Sequence, residues 1–206
     1  MKPYFETELG KLYNCDCLDF MKTMEDKSVD LVLTDPPYRD EKDNQPTKDM
    51  RANGGMECFG NKLTKEQFKE IERVSGKQII WGCNNFDFLP PYKGFLVWKK
   101  HIPEKFTMSM AEIAYLSENI LTISKVFYKA SNSEHRYHPT QKPVTVMVWS
   151  LKFAEGSVFD PFLGSGTTAV ACEKLNRRWI GIEISEKYCE IAAKRISLEA
   201  SQGKLW

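Results

Sequence analysis

The stretch from residue 157 to 183 constrains the fold more than any other part of the chain. It reads SVFDPFLGSGTTAVACEKLNRRWIGIE: a short apolar run, a glycine turn, a helical stretch and a second apolar run. Two apolar runs separated by a helix cannot pair as a hairpin, so they are expected as parallel neighbours in a βαβ unit. Runs that are apolar at consecutive positions also imply strands buried on both faces, as in sheets covered by helices.

The remaining pattern extends this unit. Strands are expected at 29–34 (VDLVLT), 157–159 and 179–182, with further strands at 11–14, 78–81, 95–98 and 113–116. Helices are expected between them. One spans 64–74, opened by a capping box of Thr64 with Gln67, and others span 144–153 and 167–175. The last is capped by Ser185 and shows Tyr188, Ile191, Ala192 and Ile196 at helical spacing. Alternating strands and helices give an α/β fold: a mostly parallel sheet with helices on both faces, in a single domain over 1–206. One segment, 39–61, is polar, rich in charge and glycine, and long for a connection, and it is read as a flexible substrate loop.

Composition sets limits on function. With 42% hydrophobic and 28% charged residues, extended disorder is not expected. The net charge of +1 supplies no global basic field, so any nucleic-acid contact has to come from a local patch. Six cysteines, Cys15, Cys17, Cys58, Cys83, Cys172 and Cys189, have neither a C-x-x-C pair nor metal-ligand spacing. They read as reduced thiols, and no metal site is expected. The opening MKPYFETELGK has no apolar core of a signal sequence, and no run approaches a membrane span. A cytoplasmic protein without membrane contact is expected.

Two motifs carry chemistry. Asp160-Pro161-Phe162-Leu163-Gly164-Ser165-Gly166-Thr167-Thr168 follows a strand and opens a helix. Its glycines allow a sharp turn and a close ligand, and free N–H groups at the helix start favour a carboxylate or phosphate. Glu183 ends the following strand, where an acidic residue can meet a ribose diol. The piece therefore reads as a site for a ribose-bearing cofactor. Gly164-x-Gly166-x-x-Ala169 also fits a dinucleotide fingerprint, so NAD is a rival at this level.

The second motif, Asp35-Pro36-Pro37-Tyr38, lies just beyond the expected strand 29–34, where open α/β sheets bind ligands. Two prolines stiffen the turn and remove two backbone donors. The turn thus offers a carboxylate, a carbonyl and an aromatic face. That set suits an aromatic amine such as the amino group of adenine or cytosine, whose lone pair is delocalised into the ring. Hydrogen bonds from its two N–H groups to Asp35 and the Pro36 carbonyl would turn the lone pair toward an electrophile, and Tyr38 would stack on the base. A base in duplex DNA would have to be flipped out to reach the turn.

Taken together, these residues resemble the amino-group DNA methyltransferases of the β arrangement, in which the catalytic motif precedes the cofactor motif. The match runs through LYNCDCLDFMKTMEDKSVDLVLTDPPY (12–38), HPTQKP (138–143) and VFDPFLGSGTTAVACEKLNRRWIGIE (158–183). The middle, QIIWGCNNFDFLPPYKGFLVWKK (78–100), is similar to small phage-type members. The resemblance implies a Rossmann-like methyltransferase fold of circularly permuted motif order, with S-adenosylmethionine as cofactor and DNA as partner. It implies that Asp35, Pro36, Pro37 and Tyr38 handle the target amine. It places Asp16, Asp35, Thr140, Gln141, Lys142, Asp160, Phe162, Gly164, Ser165, Gly166, Thr167 and Glu183 around the cofactor, with Lys142 expected near its carboxylate. A tetrapeptide beginning with Asp is typical of members acting on adenine N6; many cytosine N4 members carry Ser there. Neither Asp-Pro-Pro-Tyr nor HPTQKP is explained by a dehydrogenase, which sets NAD behind.

The region 90–137 is expected to touch DNA. Lys99, Lys100, Lys105 and Arg136 are the candidate contacts, interleaved with Tyr92, Trp98 and Phe106. The space between Tyr38 and His138 leaves little room for a separate recognition domain, so a short target is expected. The resemblance allows a homodimer and leaves a restriction endonuclease partner unassigned. Three other activities remain as alternatives: cytosine N4 methylation, methylation of RNA or a protein glutamine, and cofactor-dependent DNA binding without turnover.

Overall fold

The computed structural model describes residues 1–38, 61–91, 93–103, 109–117, 120, 122–128, 137 and 141–202. Its strands are β1 (Phe5–Glu6), β2 (Gly10–Asn14), β3 (Val29–Thr34), β4 (Ser75–Trp81), β5 (Phe95–Lys99), β6 (Ala111–Leu116), β7 (Lys125–Tyr128), β8 (Val158–Asp160) and β9 (Trp179–Glu183). Its α-helices are α1 (Cys17–Lys22), α2 (Lys65–Val74), α3 (Val144–Ser150), α4 (Thr167–Lys174) and α5 (Glu186–Ser201). The expected α/β class is what forms. The strands order as β1-β2-β9-β8-β3-β4-β6-β5-β7. The stretch from β2 to β4 is parallel throughout, while β6 runs antiparallel between β4 and β5.

Both faces are covered, and the strand sequences show why. Along β3, Leu31 and Leu33 enter one apolar cluster and Val32 the opposite one; along β4, Ile79 and Trp81 enter the first and Ile80 the second. Consecutive side chains of a strand point to opposite faces, so an unbroken apolar run fits a sheet with helices on either side. Helices α3, α4 and α5 contribute Val146, Met147, Ala171, Ala192 and Ile196 to the first cluster. Met21 of α1 and Phe68, Ile71 and Val74 of α2 fill the second, each burial being worth roughly 1.5–3 kcal/mol.

Local chemistry fixes the element ends. The capping box forms as the sequence implies: Thr64 Oγ1 accepts from Gln67 N at 3.1 Å, and Gln67 Oε1 accepts from Thr64 N at 2.9 Å. The helix expected over 144–153 ends its α-helical part at Ser150, and Leu151–Phe153 tightens into a 3-10 turn. Arg177, in the turn after α4, closes that region by donating to the carbonyls of Leu151, Ala154 and Gly156. The short elements β1, α1 and β7 were not among the expected ones. Most of the expected substrate loop, 39–60, lies outside the described residues. Among the described residues no helix is long and apolar enough to cross a membrane.

Candidate active site

β8 and β3 are parallel neighbours, but the chain leaves them on opposite sides, β8 toward β9 and β3 toward β4. Their carboxyl ends therefore open a crevice where the strand order reverses. A hydrogen bond bridges the two strand ends: Thr34 Oγ1 donates to Asp160 Oδ1 at 2.6 Å. The same oxygen accepts from Phe162 N at 3.0 Å, which fixes the start of the glycine turn. Burial pushes the Asp160 carboxyl up to about 6, against the pull of these donors.

The turn is held from below by β9. Leu163 N donates to Ile182 O at 2.8 Å, and Gly164 N donates to Glu183 Oε2 at 2.8 Å. Gly164 (φ +56) and Gly166 (φ +89) lie in the left-handed region, where a side chain is disfavoured. No atom lies within 4 Å of where a Cβ at Gly164 would stand, so the turn faces open space on that side. Glu183 Oε1 also accepts from Ser185 N at 2.8 Å. Burial raises this carboxyl to about 7 despite the two amide donors. Beside it Ile184 leaves an apolar side chain 57% exposed. Asn14 Nδ2 donates to the carbonyls of Glu183 and Ile184, both at 2.9 Å, and so locks the end of β2 to the end of β9. A carboxylate acceptor, an exposed apolar face and a side-chain-free turn suit a ribose, an adenine and an amino-acid moiety in that order. The donor set fits S-adenosylmethionine.

Across the crevice, Asp35-Pro36-Pro37-Tyr38 leaves the end of β3. The Lys142 ammonium sits among three oxygens: Asp35 Oδ1 at 2.6 Å, Tyr38 Oη at 2.9 Å and Glu112 Oε2 at 2.7 Å. Tyr38 in turn donates to Asp35 Oδ1, and Lys100 pairs with the other oxygen of Glu112. The Lys142 side chain is 2% exposed and that of Asp35 17%, so substrate can reach the acid but hardly the ammonium. Burial alone would lower the Lys142 pKa, but Asp35 and Glu112 outweigh it and the group is raised. Burial would likewise raise Glu112, but Lys142 and Lys100 hold it at about 2. For Asp35 burial is the largest influence and, with the Glu112 charge, leaves the carboxyl raised above its ordinary value although Lys142 and Tyr38 oppose it.

The structure thus brings Asp35, Pro36, Pro37 and Tyr38 to one wall of the crevice, and Asp160, Phe162, Gly164, Ser165, Gly166, Thr167 and Glu183 to the other. Gln141 touches the cofactor wall, through Oε1 to Ser165 Oγ at 3.1 Å. Asp16 stands at the same end of the sheet, exposed, with its carboxylate capping α1 through Leu18 N and Asp19 N. Lys142, expected near the carboxylate of the cofactor, meets the carboxylates of Asp35 and Glu112. Lys99 is exposed near the Tyr128 ring, 5.6 Å from its centroid. On the DNA side, the Lys100 ammonium is engaged by Glu112, and Trp98 is buried in the core. Thr140, Lys105, Arg136, Tyr92, Phe106 and Cys58 lie outside the described residues.

Sequence reasoning did not single out Thr34, Glu112, Ile184 or Arg195. Arg195 donates to Ser165 O at 2.5 Å and to its Oγ at 2.9 Å, and its guanidinium lies 5.0 Å from the Tyr137 ring centroid. None of these residues sits in a motif.

The sequence pattern of the DNA methylase family matches residues 80–194, more than half of the chain. The chain belongs to that family. This methylase is similar to the putative methylase YubD of Escherichia coli (strain K12), with 30% identity over 220 residues, 92% of this chain and 91% of the relative. Its fold is that of solved DNA methyltransferases. The M1.HpyAVI complex with S-adenosylmethionine aligns with a TM-score of 0.60 at 23% identity, covering 91% of this chain and 99% of that one. The cytosine-N4-specific PvuII enzyme aligns at 0.65 and 14% identity, covering 98% and 94%. S-adenosylmethionine is the methyl donor of this family, which displaces the dinucleotide reading of the glycine turn.

Proposed function

We propose that this methylase transfers a methyl group from S-adenosylmethionine to N6 of adenine in DNA. The observation that carries the proposal is the placement of the Asp35 carboxylate. It stands at the end of β3, partly open to the crevice, next to the strand whose turn suits the cofactor. When bound, the cofactor supplies an electrophilic methyl on a sulfonium.

The chain's own residues do the rest. One N–H of the target amine donates to Asp35 and the other to the Pro36 carbonyl, which draws the nitrogen toward tetrahedral geometry and turns its lone pair to the methyl. As the new N–C bond forms, the methyl–sulfur bond would break with its electron pair passing to sulfur, and the nitrogen becomes cationic and acidic. Asp35 is placed to take the proton it loses. Ionised Asp35 is therefore needed at the start, and Lys142 supplies the counter-charge that favours it. Tyr38 shapes the wall: its hydroxyl is spent on Asp35 and its ring stands 6.4 Å from that of Phe86, in an edge-on arrangement. No covalent enzyme intermediate is required; positioning and charge complementarity carry the rate. The base reaches this wall by leaving the duplex. An Asp in the first motif position, where many cytosine N4 enzymes carry Ser, supports adenine as the base.

Glu183 would hold the ribose diol, Ile184 would cover the adenine of the cofactor, and the Gly164-Ser165-Gly166 turn with Thr167 would take its amino-acid end. The test is to incubate the enzyme with unmethylated DNA and labelled S-adenosylmethionine, digest the DNA and identify the labelled nucleoside. N6-methyladenine from the wild type and none from Asp35→Ala, with cofactor binding retained in the variant, is expected. N4-methylcytosine would overturn the base assignment, and activity in Asp35→Ala would overturn the role of Asp35.

A further inference from the structure

The Lys142 ammonium has three protons and spends each on a different oxygen, contributed by two separate parts of the chain. Asp35 and Tyr38 belong to the catalytic turn. Glu112 does not: it lies on β6, the antiparallel strand that enters the sheet beyond β4, where Glu112 pairs with Trp98 of β5. Its second oxygen is held by Lys100, which follows β5 and lies 4.9 Å from the Trp98 ring centroid. The rings of Trp81 and Tyr38 flank the Lys142 ammonium at 5.3 and 5.5 Å from their centroids. Two carboxylates and two ammonium groups thus alternate in a line: Asp35, Lys142, Glu112, Lys100.

We propose that Glu112 is a positioning residue for methyl transfer, anchoring Lys142 so that its ammonium holds Oδ1 of Asp35 and leaves the carboxylate aimed at the target amine. The inference rests on the reading of Asp35 as the group that receives that amine. It follows from the geometry of a flexible four-carbon side chain. Held by Asp35 and Tyr38 alone, the Lys142 ammonium would follow any movement of the turn. Tied to a strand of the sheet, it becomes a fixed point against which the turn is registered. Buried charges in such a line also depend on each other, because removing one leaves its neighbour uncompensated.

The charge relation gives the line a signature that simple packing would lack. Asp35 faces the Lys142 ammonium, the Tyr38 hydroxyl, the Glu112 carboxylate and, across the switch point, the Asp160 carboxyl; Cys83 stands near Tyr38, and Lys100 acts through Glu112. The negative charge of Glu112 makes Asp35 harder to ionise and the positive charge of Lys142 makes it easier. Neutralising them one at a time should move the acid limb of the rate profile in opposite directions.

The experiment measures kcat against pH on DNA for the wild type, Glu112→Gln, Glu112→Asp and Lys142→Met, with cofactor binding by calorimetry for each. Glu112→Gln should lose about tenfold to a hundredfold in kcat through misplacement of the reacting groups. Its acid limb should move to lower pH, that of Lys142→Met to higher pH, and Glu112→Asp should recover part of the rate. Cofactor affinity should stay near that of the wild type in Glu112→Gln. Wild-type kcat with an unmoved pH limb in Glu112→Gln overturns the inference. Loss of cofactor binding along with turnover also overturns it, since the effect would then lie in the pocket or the fold. Absence of DNA methylation by the wild type would instead strike the proposed function itself.

Discussion

Glu183 offers a quantitative test of the cofactor wall. Its carboxyl is moved from an ordinary 4.5 to about 7, because burial outweighs the amide donors of Gly164 and Ser185. Each pH unit of such displacement is worth about 1.4 kcal/mol, so ionising Glu183 in the folded, cofactor-free enzyme costs roughly 3 kcal/mol. The folded state holds this proton more tightly than the unfolded chain does. The contribution is therefore fully present below about pH 4.5 and is lost as the pH rises through about 7. Asp160, raised to about 6, acts in the same direction in both proteins compared. Glu183→Gln removes the titration. Its single amide oxygen can serve only one of the two backbone donors, a pH-independent loss of about 1 kcal/mol. In urea unfolding of the cofactor-free proteins the variant should thus be slightly less stable than the wild type near pH 4.5. By pH 8 it should be more stable, by about 2 kcal/mol once the lost hydrogen bond is subtracted. Parallel curves across that range would refute the assignment of the shift to Glu183. Because a ribose diol donates to the ionised carboxylate, wild-type cofactor affinity should fall as the pH drops below about 7, and this dependence should vanish in the variant.

Two further substitutions probe the frame of the site. A Cβ at Gly82 would stand 2.0, 2.3 and 2.7 Å from three ring atoms of Tyr38, at a φ of +69. Gly82→Ala should displace Tyr38 and lower turnover by about tenfold or more, while calorimetry shows cofactor affinity unchanged; wild-type turnover would contradict the placement of that ring. Arg177→Met strips donors from the carbonyls of Leu151, Ala154 and Gly156, at 3.0, 2.7 and 2.6 Å. It should destabilise the enzyme by about 2–4 kcal/mol, and thermal unfolding within a degree of the wild type would show that water replaces the guanidinium freely.

What could be read in the sequence was what depends on neighbours in the chain. Leu31, Val32 and Leu33 of VDLVLT are buried on both faces, so the apolar run there is unbroken, and the pair Thr64 and Gln67 announces a helix start within four residues. The glycine turn carries its own signal because the chain must reverse there between a strand and a helix. The short α1 had only the Asp16 cap to mark it, and in β7 three of four residues are exposed, which leaves no apolar pattern to detect. The antiparallel insertion of β6 between β4 and β5 depends on pairing between distant segments. So does the partner of Lys142, which lies 107 residues from Asp35 and 30 from Glu112. Residue types along one stretch say nothing about which acid a distant lysine will meet.

Glu183, buried, and Glu112, half-buried, show how one fold sets opposite charge states with the same side chain. Glu112 and Glu183 are both pulled from solvent, and burial works against ionisation in each. Glu112 faces two ammonium groups and is held at about 2; Glu183 faces two neutral amides and rises to about 7. Glu112 is thereby held ionised at any pH near neutrality, a fixed negative partner for Lys142 and Lys100. The cofactor wall is balanced near neutrality, so a hydroxyl-bearing ligand both uses the negative charge and relieves its cost.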